Sequence, residues 1–340
     1  MKQLRNTPIS TFLMIFMLLS ISSCYKMCGK PGEKNSPEVA TNDENNKTED
    51  AKTEDNLPKQ DAKKADEPTS SAHGSFTYSP AEPVNGKLKG VVELGASGFN
   101  SFIINVDADK HWKIAQKKFN NSFVYDRMAN EADIKDGLKK YIADMLDFGV
   151  KGTDIHFVVS SGALKEAKVT KIIASLKAIG YVANTVSAEE EGKLAAKVAM
   201  PSDFTSNSFV VDIGSGNTKI TWAENGNMTS FESYGAKYYE RNISDDQVYN
   251  EVKKIAEKIP NNKRVKCFII GGAPFKMAEK MRKGEERYTV LLAPNEYHPE
   301  EAKLKCGVNI YKAIADGTNC DTFVFDWDSN FTIGFLLGTK

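Results

Sequence analysis

The chain has 340 residues, 41% hydrophobic and 26% charged, with 45 basic residues balanced by 45 acidic ones for a formal net charge of zero. That is the make-up of an ordinary globular protein, and it excludes the strongly basic character of a nucleic-acid-coating protein, so no nucleic-acid partner is expected. The length accommodates two domains or one large two-lobed unit.

Residues 1–23 read as an export signal. Lys2 and Arg5 supply a positive start, an apolar run follows from Phe12 to Leu19, and small residues lead into Ile21-Ser22-Ser23-Cys24. A hydrophobic core this short, ending in small residues, marks a cleaved signal peptide rather than a membrane span. The ending resembles the lipobox of bacterial lipoproteins. That implies a mature chain beginning at Cys24, acylated on its thiol, with each buried CH₂ contributing roughly 0.8 kcal/mol to membrane anchoring. The expected location is the bacterial cell envelope, outside the cytoplasm, with the membrane as a partner through the lipid.

Residues 24–86 are expected to form a tether. From Gly29 the segment is polar and low in complexity, with the near-repeat K-T-E-D-A-K-T-E-D from Lys47 to Asp55, and large apolar side chains are almost absent before Phe76. Such a composition buries too little surface to offset its ordering entropy. As a random coil it reaches on the order of 40 Å.

A first folded lobe is expected over 87–204. Strands are predicted at Gly90–Leu94, Asn100–Val106 and His111–Lys118. The spacing of Ile134, Leu138, Tyr141, Ile142, Met145 and Leu146 predicts a helix over Ala132–Phe148. A strand at Ile155–Ser160, a helix from Leu164 to Ala178, a short strand at Tyr181–Val186 and a helix over Ala188–Ala199 complete it. A second lobe is expected over 205–340. It has strands at Ser208–Asp212, Thr218–Trp222 and Met228–Phe231, then a helix from Asp245 to Lys258. A strand at Val265–Ile270, a helix from Pro274 to Arg282, a strand at Tyr288–Leu292 and a helix from Pro299 to Ala315 follow. Two apolar segments, Thr322–Phe325 and Phe331–Leu337, close the chain.

The two series read as an internal duplication of βββαβαβα. V-V-E-L-G-A-S-G at Val91–Gly98 matches V-V-D-I-G-S-G-N at Val210–Asn217, and H-F-V-V-S-S-G-A at His156–Ala163 matches C-F-I-I-G-G-A-P at Cys267–Pro274. E-E-G-K-L at Glu190–Leu194 is taken to match E-E-A-K-L at Glu300–Leu304, at a nearly constant offset. Each half is then an α/β unit with a mixed sheet and flanking helices, and the halves should face each other across a cleft. Cys267, Cys306 and Cys320 fall in the folded part, and Cys306–Cys320 is a possible disulfide in an exported protein. No C-x-x-C spacing suggests a metal knuckle, and His156, inside I-H-F-V-V, reads as a core histidine.

Each half opens with a strand that ends in an acidic residue and a tight Gly-containing turn: Glu93-Leu94-Gly95-Ala96-Ser97-Gly98 and Asp212-Ile213-Gly214-Ser215-Gly216-Asn217-Thr218. Small residues let backbone N–H groups approach an anion, and the acidic residue suits a hydrated divalent cation that neutralises phosphate charge. Gly95, Ser97, Gly214, Ser215, Gly216, Asn217 and Thr218 are therefore candidate phosphate-binding residues, with Asp212 and Glu93 as candidate ligands of Mg²⁺.

The duplicated pattern with paired phosphate hairpins resembles the actin, sugar kinase and heat-shock chaperone superfamily, a two-lobed ribonuclease H-like ATPase fold. Within it the chain resembles the exopolyphosphatase and guanosine pentaphosphate phosphohydrolase (Ppx/GppA) family over about residues 90–340. S-S-G-A-L-K-E-A (Ser160–Ala167), V-S-A-E-E-E-G-K-L (Val186–Leu194), V-V-D-I-G-S-G-N-T-K (Val210–Lys219) and F-T-I-G-F-L-L-G (Phe331–Gly338) carry the resemblance. It implies that Glu190 orients or deprotonates the water that attacks a terminal phosphoryl group, that Ser161 and Lys165 help hold phosphate, and that the substrate is polyphosphate or another phosphoanhydride. It also places Gly271-Gly272-Ala273 at the superfamily's nucleotide-contacting turn.

Two positions depart from the family pattern. Glu93 stands where the family has aspartate, and Lys219 stands where it has a glutamate, a local change of two charge units. Two readings follow. One is binding and hydrolysis of a phosphoanhydride at the cell envelope. The other is a degenerate, non-catalytic polyanion-binding or scaffold lipoprotein. Oligomeric state is not legible.

Overall fold

The computed structural model describes residues 76–96, 98–119 and 130–339. The expected signal peptide, Cys24, most of the tether and Ser97 lie outside the described residues. The rest belongs to one compact unit.

The first half begins with β1 (Lys87–Gly95), β2 (Gly98–Val106) and β3 (Trp112–Lys118). The β1–β2 hairpin is antiparallel, with Gly95 opposite Gly98, and β2 pairs antiparallel with β3. Helix α1 (Glu131–Phe148) follows. Its N-terminus is capped by the Asn130 side chain, which accepts from the Asp133 N–H, and it ends at Gly149 in the left-handed region. Strand β4 (Ile155–Val159), α2 (Ala167–Ala178), β5 (Ala183–Thr185) and α3 (Ala188–Ala199) complete the half. β4 runs parallel to β1 and β5 parallel to β4, giving the order β3-β2-β1-β4-β5.

The second half repeats the plan. Strands β6 (Ser208–Ile213), β7 (Asn217–Glu224) and β8 (Asn227–Tyr234) form an antiparallel meander. They are followed by α4 (Asp245–Ala256), β9 (Lys266–Ile270), α5 (Gly272–Glu279), β10 (Tyr288–Val290), α6 (Ala302–Thr318), β11 (Phe323–Asp326) and α7 (Phe331–Gly338). The second sheet runs β10-β11-β9-β6-β7-β8, with β6, β9 and β11 parallel.

Three cores stack these elements in layers. One face of the first sheet, through Val92, Leu94, Ile103, Phe157 and Val159, packs on α1 and α2. One face of the second sheet, through Phe209, Val211, Ile220, Ile269 and Phe323, packs on α4, α5 and α6. The inner faces of both sheets, through Val91, Phe102, Ile104, Val210, Phe268 and Val324, close on α3 and α7 between them. The strand runs are apolar on both faces because both faces are covered. Each fully buried Phe, Ile or Leu side chain contributes about 1.5–3 kcal/mol, so the shared middle core joins the halves.

Two of the three internal sequence matches coincide with equivalent elements: β1 with β6, and β4 with β9. The third does not. β5 and β11 are the equivalent strands, each parallel to the preceding β4 or β9, and each feeds a helix that lies between the sheets. The counterpart of α3 is therefore α7, while Glu300–Leu304 belongs to the start of α6 on the outer face. The closing segment Phe331–Leu337 is that helix.

The Cys306–Cys320 pair is absent: Cys267, Cys306 and Cys320 are free, buried thiols. Cys306 sits near the start of α6 and Cys320 just beyond its end, so about 18 Å of helical rise separates them, far beyond the reach of a disulfide. His156 is half-buried with its ring edge-on to Phe335, and burial lowers its pKa. The expected tether boundary also shifts, since Phe76 and Tyr78 pack against Phe204 and Tyr288 and the Val84 N–H donates to Asp107. Among the described residues no helix is long and apolar enough to cross a membrane.

Candidate functional site

The carboxyl ends of β1, β4, β6 and β9 open on one cavity of about 310 Å³ lined by both halves, the place where open α/β sheets hold ligands. From the first half come Glu93, Gly95, Ala96, Asn100, Ser160, Gly162 and Glu191; from the second, Asp212, Gly214, Ser215, Gly216, Asn217, Lys219, Gly271, Gly272 and Asn330.

The β6–β7 turn is rigidly held. The Gly214 N–H donates to the Asn217 carbonyl at 3.0 Å, and the Gly214 and Ser215 carbonyls accept from the Ala236 and Lys237 N–H groups at 2.9 and 3.0 Å. Its tip meets the turn after β4 backbone to backbone. A Cβ on Gly216 would stand 3.0 Å from the Gly162 Cα, and one on Gly162 would stand 3.2 Å from the Gly216 Cα, so a larger residue at either position would force the two backbones apart by a few tenths of an ångström.

Glu191 reaches the cavity from the first turn of α3. Its Oε2 accepts from the Ser161 N–H at 2.7 Å and from Ser161 Oγ at 2.6 Å, while its Oε1 accepts from Lys219 Nζ. Asn217 Nδ2 donates to Ser161 Oγ at 2.8 Å and to Glu232 at 2.8 Å. Helix α3 lies close on β7 and β8 because residue 192 is glycine; a Cβ there would collide with Ser230 Oγ and stand 2.7 Å from Thr221 Oγ1. Glu191 and Lys219 are each 2% exposed.

Lys219 lies directly opposite Asp212 in the β6–β7 register, its Nζ 3.9 Å from Asp212 Oδ2. Burial by itself would lower the Lys219 pKa, but Asp212 and Glu191 outweigh it and raise it, so the ammonium stays charged. Burial pushes the Asp212 carboxyl up to about 6, with Lys219 opposing and Glu191 adding. Burial likewise pushes Glu93 up to about 7, against hydrogen bonds to its Oε2 from Asn100 Nδ2 at 2.7 Å and Asn330 Nδ2 at 2.9 Å. Asn330 also caps α7 through its Oδ1, which accepts from the Thr332 N–H.

Gly95, Glu93, Asp212, Gly214, Ser215, Gly216 and Asn217 thus line one cavity. Four other expectations are not met or not reached. Ser97 lies outside the described residues. Thr218 is fully buried between Asn217 and Lys219 on β7 and does not line the cavity, because neighbours on a strand face opposite sides. Lys165 is exposed beside Glu232, 3.7 Å away, and does not line the cavity. Ser161 is buried and spends its hydroxyl on Glu191 rather than on a ligand.

Glu190 needs the main correction. It is exposed and does not line the cavity; its N–H donates to Ser187 Oγ at the helix cap. Helical residues turn about 100° per step, so the next residue, Glu191, faces inward. The signal was present in the sequence: Ser187-x-x-Glu190 has the capping-box spacing, which assigns Glu190 to the cap and leaves Glu191 for the interior. Asn100, Gly162 and Asn330 carried no comparable sequence signal.

A divalent cation on Glu93 and Asp212 does not fit these residues. Among the described residues the group of metal-ligating side chains that gathers within 4.8 Å is Asp107, Asp109 and His111, outside the cavity. Within the cavity, Glu191 and Asp212 flank the Lys219 ammonium instead. A dication set about 4 Å from that ammonium would be repelled by about 8 kcal/mol at an effective dielectric constant of ~20, which offsets the attraction of one carboxylate at the same distance.

No protein-family profile matches the sequence. No curated protein matches it either. Solved structures do match. An Aquifex aeolicus member of the Ppx/GppA family superposes with a TM-score of 0.55 at 16% identity, covering 74% of this chain and 96% of that one. An exopolyphosphatase from Cytophaga hutchinsonii superposes with a TM-score of 0.55 at 15% identity, covering 75% of this chain and 99% of that one. The chain has the duplicated, two-lobed actin-like ATPase fold that these proteins share.

Proposed function

We propose that the cavity binds the end of a phosphoanhydride chain such as polyphosphate and hydrolyses its terminal phosphoryl group. The observation that carries this reading is that the Gly214–Asn217 turn and the Glu191 carboxylate face one cavity, at the carboxyl ends of both sheets. The turn offers an anion-sized concavity of small residues. Glu191 Oε1, which accepts only from Lys219 while Oε2 accepts twice from Ser161, keeps a lone pair and can accept from a water and aim it at phosphorus. Phosphoryl transfer asks chiefly for such positioning and for charge neutralisation. Lys219 answers Glu191, and with Glu93 raised to about 7, so only partly ionised at neutral pH, the carboxylates oppose an incoming polyanion less than their number suggests. Lys276 and Lys303 line the cavity beyond the turn.

The exopolyphosphatase likeness supports the substrate class. The lipobox-like ending supports placement on the cell envelope through Cys24. Mg²⁺ is the ion the family likeness suggests for assay. The test is phosphate release from polyphosphate of defined length by the full chain, with and without Mg²⁺. Glu191→Gln is expected to abolish release and Glu190→Gln to preserve it. Release untouched by Glu191→Gln would overturn the assignment. For location, Cys24→Ala is expected to move the protein from the membrane fraction to the soluble one.

The buried Glu191–Lys219 pair favours one rival reading, polyanion binding without turnover, because the Glu191 oxygens are already engaged by Lys219 and Ser161. It expects polyphosphate binding with no phosphate release under any condition.

A further inference from the structure

We propose that the Lys219 ammonium is the cavity's resident cation, built into the fold where a divalent metal would otherwise neutralise the carboxylates and meet the bound phosphoryl group. The part about phosphate rests on the function proposed above; the exclusion of a divalent ion does not.

Three independent elements hold the ammonium. Strand β7 sends the side chain to the same face as Asn217, into the cavity. Strand β6 sets Asp212 directly across from it, a cross-strand pairing of opposite charges. Helix α3, brought close by Gly192, lays Glu191 on it from the third side, and Ser161 clamps that carboxylate through both its N–H and its hydroxyl. The Nζ also reaches the base of the anion turn, 3.7 Å from where a Gly214 Cβ would stand. A lysine serving only as a surface counter-charge needs none of this.

The carboxylates around it are also committed elsewhere. Glu93 Oε2 takes two amide donors, and both Glu191 oxygens are occupied. A divalent ion seeks several free oxygens at close range, whereas here Glu191 Oε1 and Asp212 Oδ2 face an ammonium and Glu93 Oε2 is taken by two amides. Removing that charge would leave Asp212 and Glu191 without the ammonium they pair with, in a cavity shared with Glu93, which favours a divalent ion. The lysine therefore decides between an internal cation and an exchangeable one.

Titration calorimetry with Mn²⁺ on the full chain, with thermal-shift measurements in Mg²⁺, tests this. The unmutated protein is expected to show no Mn²⁺ binding that Asp212→Asn abolishes. That comparison subtracts any ion held at Asp107, Asp109 and His111. Lys219→Gln is expected to gain Mn²⁺ affinity by roughly tenfold or more, and Lys219→Gln/Asp212→Asn to lose the gain. Divalent binding by the unmutated protein that disappears in Asp212→Asn would overturn the proposal, as would a folded Lys219→Gln protein with no gain. Should Lys219→Gln not fold, the comparison of the unmutated protein with Asp212→Asn still decides. Polyphosphate binding is expected to persist in EDTA. If polyphosphate fails to bind at all while the Mn²⁺ results hold, the phosphate reading falls and the internal cation stands.

Discussion

Replacing Glu191 with glutamine tests the site most directly, because the structure gives its two carboxylate oxygens different work. Oε2 accepts twice from Ser161 and Oε1 accepts from Lys219. Glutamine has one acceptor oxygen and one NH₂. If its oxygen stays with Ser161, the NH₂ confronts the ammonium, donor against donor. If it turns to Lys219, the Ser161 N–H and hydroxyl face donors instead. Either way a buried donor is left unsatisfied, and Lys219 keeps only Asp212, at 3.9 Å. Removing one partner of a buried ion pair costs about 3–5 kcal/mol. The residual attraction to Asp212 and the retained hydrogen bonds place Glu191→Gln near the low end, at about 3 kcal/mol. Glu190→Gln, on the exposed side of the same turn, should stay within about 0.5 kcal/mol of the unmutated protein. Urea unfolding at neutral pH, followed by far-ultraviolet circular dichroism, measures both. A cycle with Lys219→Met should show a coupling energy of about 2 kcal/mol or more. Equal stability losses for Glu190→Gln and Glu191→Gln, or a coupling near zero, would refute the placement of the pair.

The Glu93 carboxyl, raised by burial from an ordinary 4.5 to about 7, holds a proton in the folded protein that the unfolded chain releases. The stability this contributes is complete at low pH and is lost as pH rises from about 4.5 to about 7, a swing of about 3 kcal/mol. Unfolding measured across that range should lose part of its slope in Glu93→Gln, the rest belonging to Asp212, which burial raises to about 6, and an unchanged slope would count against the buried acid. Gly192→Ala, whose new Cβ meets Ser230 and Thr221, should destabilise by about 1–3 kcal/mol, as read by denaturant midpoint. Phe76→Ala removes a ring packed against Phe204, Phe268 and Tyr288 and should cost about 2 kcal/mol. It should also move the first protease-sensitive bond toward β1 in limited proteolysis.

What could be read from the sequence was whatever repeats locally. The openings of both halves were legible because β1 and β6 end in an acid and a small-residue turn, and β4 and β9 share an apolar run ending in glycine. The match of Glu190–Leu194 with Glu300–Leu304 misled because E-E-x-K-L is what any amphipathic helix start tends to contain. The true counterpart of α3 is α7, whose F-T-I-G-F-L-L-G is apolar almost all round because it lies wholly between two sheets. No shared pattern links it to α3. Glu191 was missed by one residue, which on a helix is a quarter turn. Lys219 was seen as a departure, but its consequence depends on the strand register opposite and the helix above, neither of which is written near it in the chain. Phe76 and Tyr78 look like stray aromatics at the end of a polar stretch because their partners are distant.

That last contact has a bearing on how the protein is made. The first described residues fasten not to the strand they lead into but to Phe204, Phe268 and Tyr288, on the middle core and the second sheet. A chain synthesised from its N-terminus offers Phe76 early and completes the surface it binds only near the end. Docking of this arm is therefore a late event, delayed until non-local contacts have closed. Until then two aromatic rings remain exposed at the junction between the polar stretch and the first sheet, a natural foothold for a chaperone or a protease that monitors whether the second half has folded.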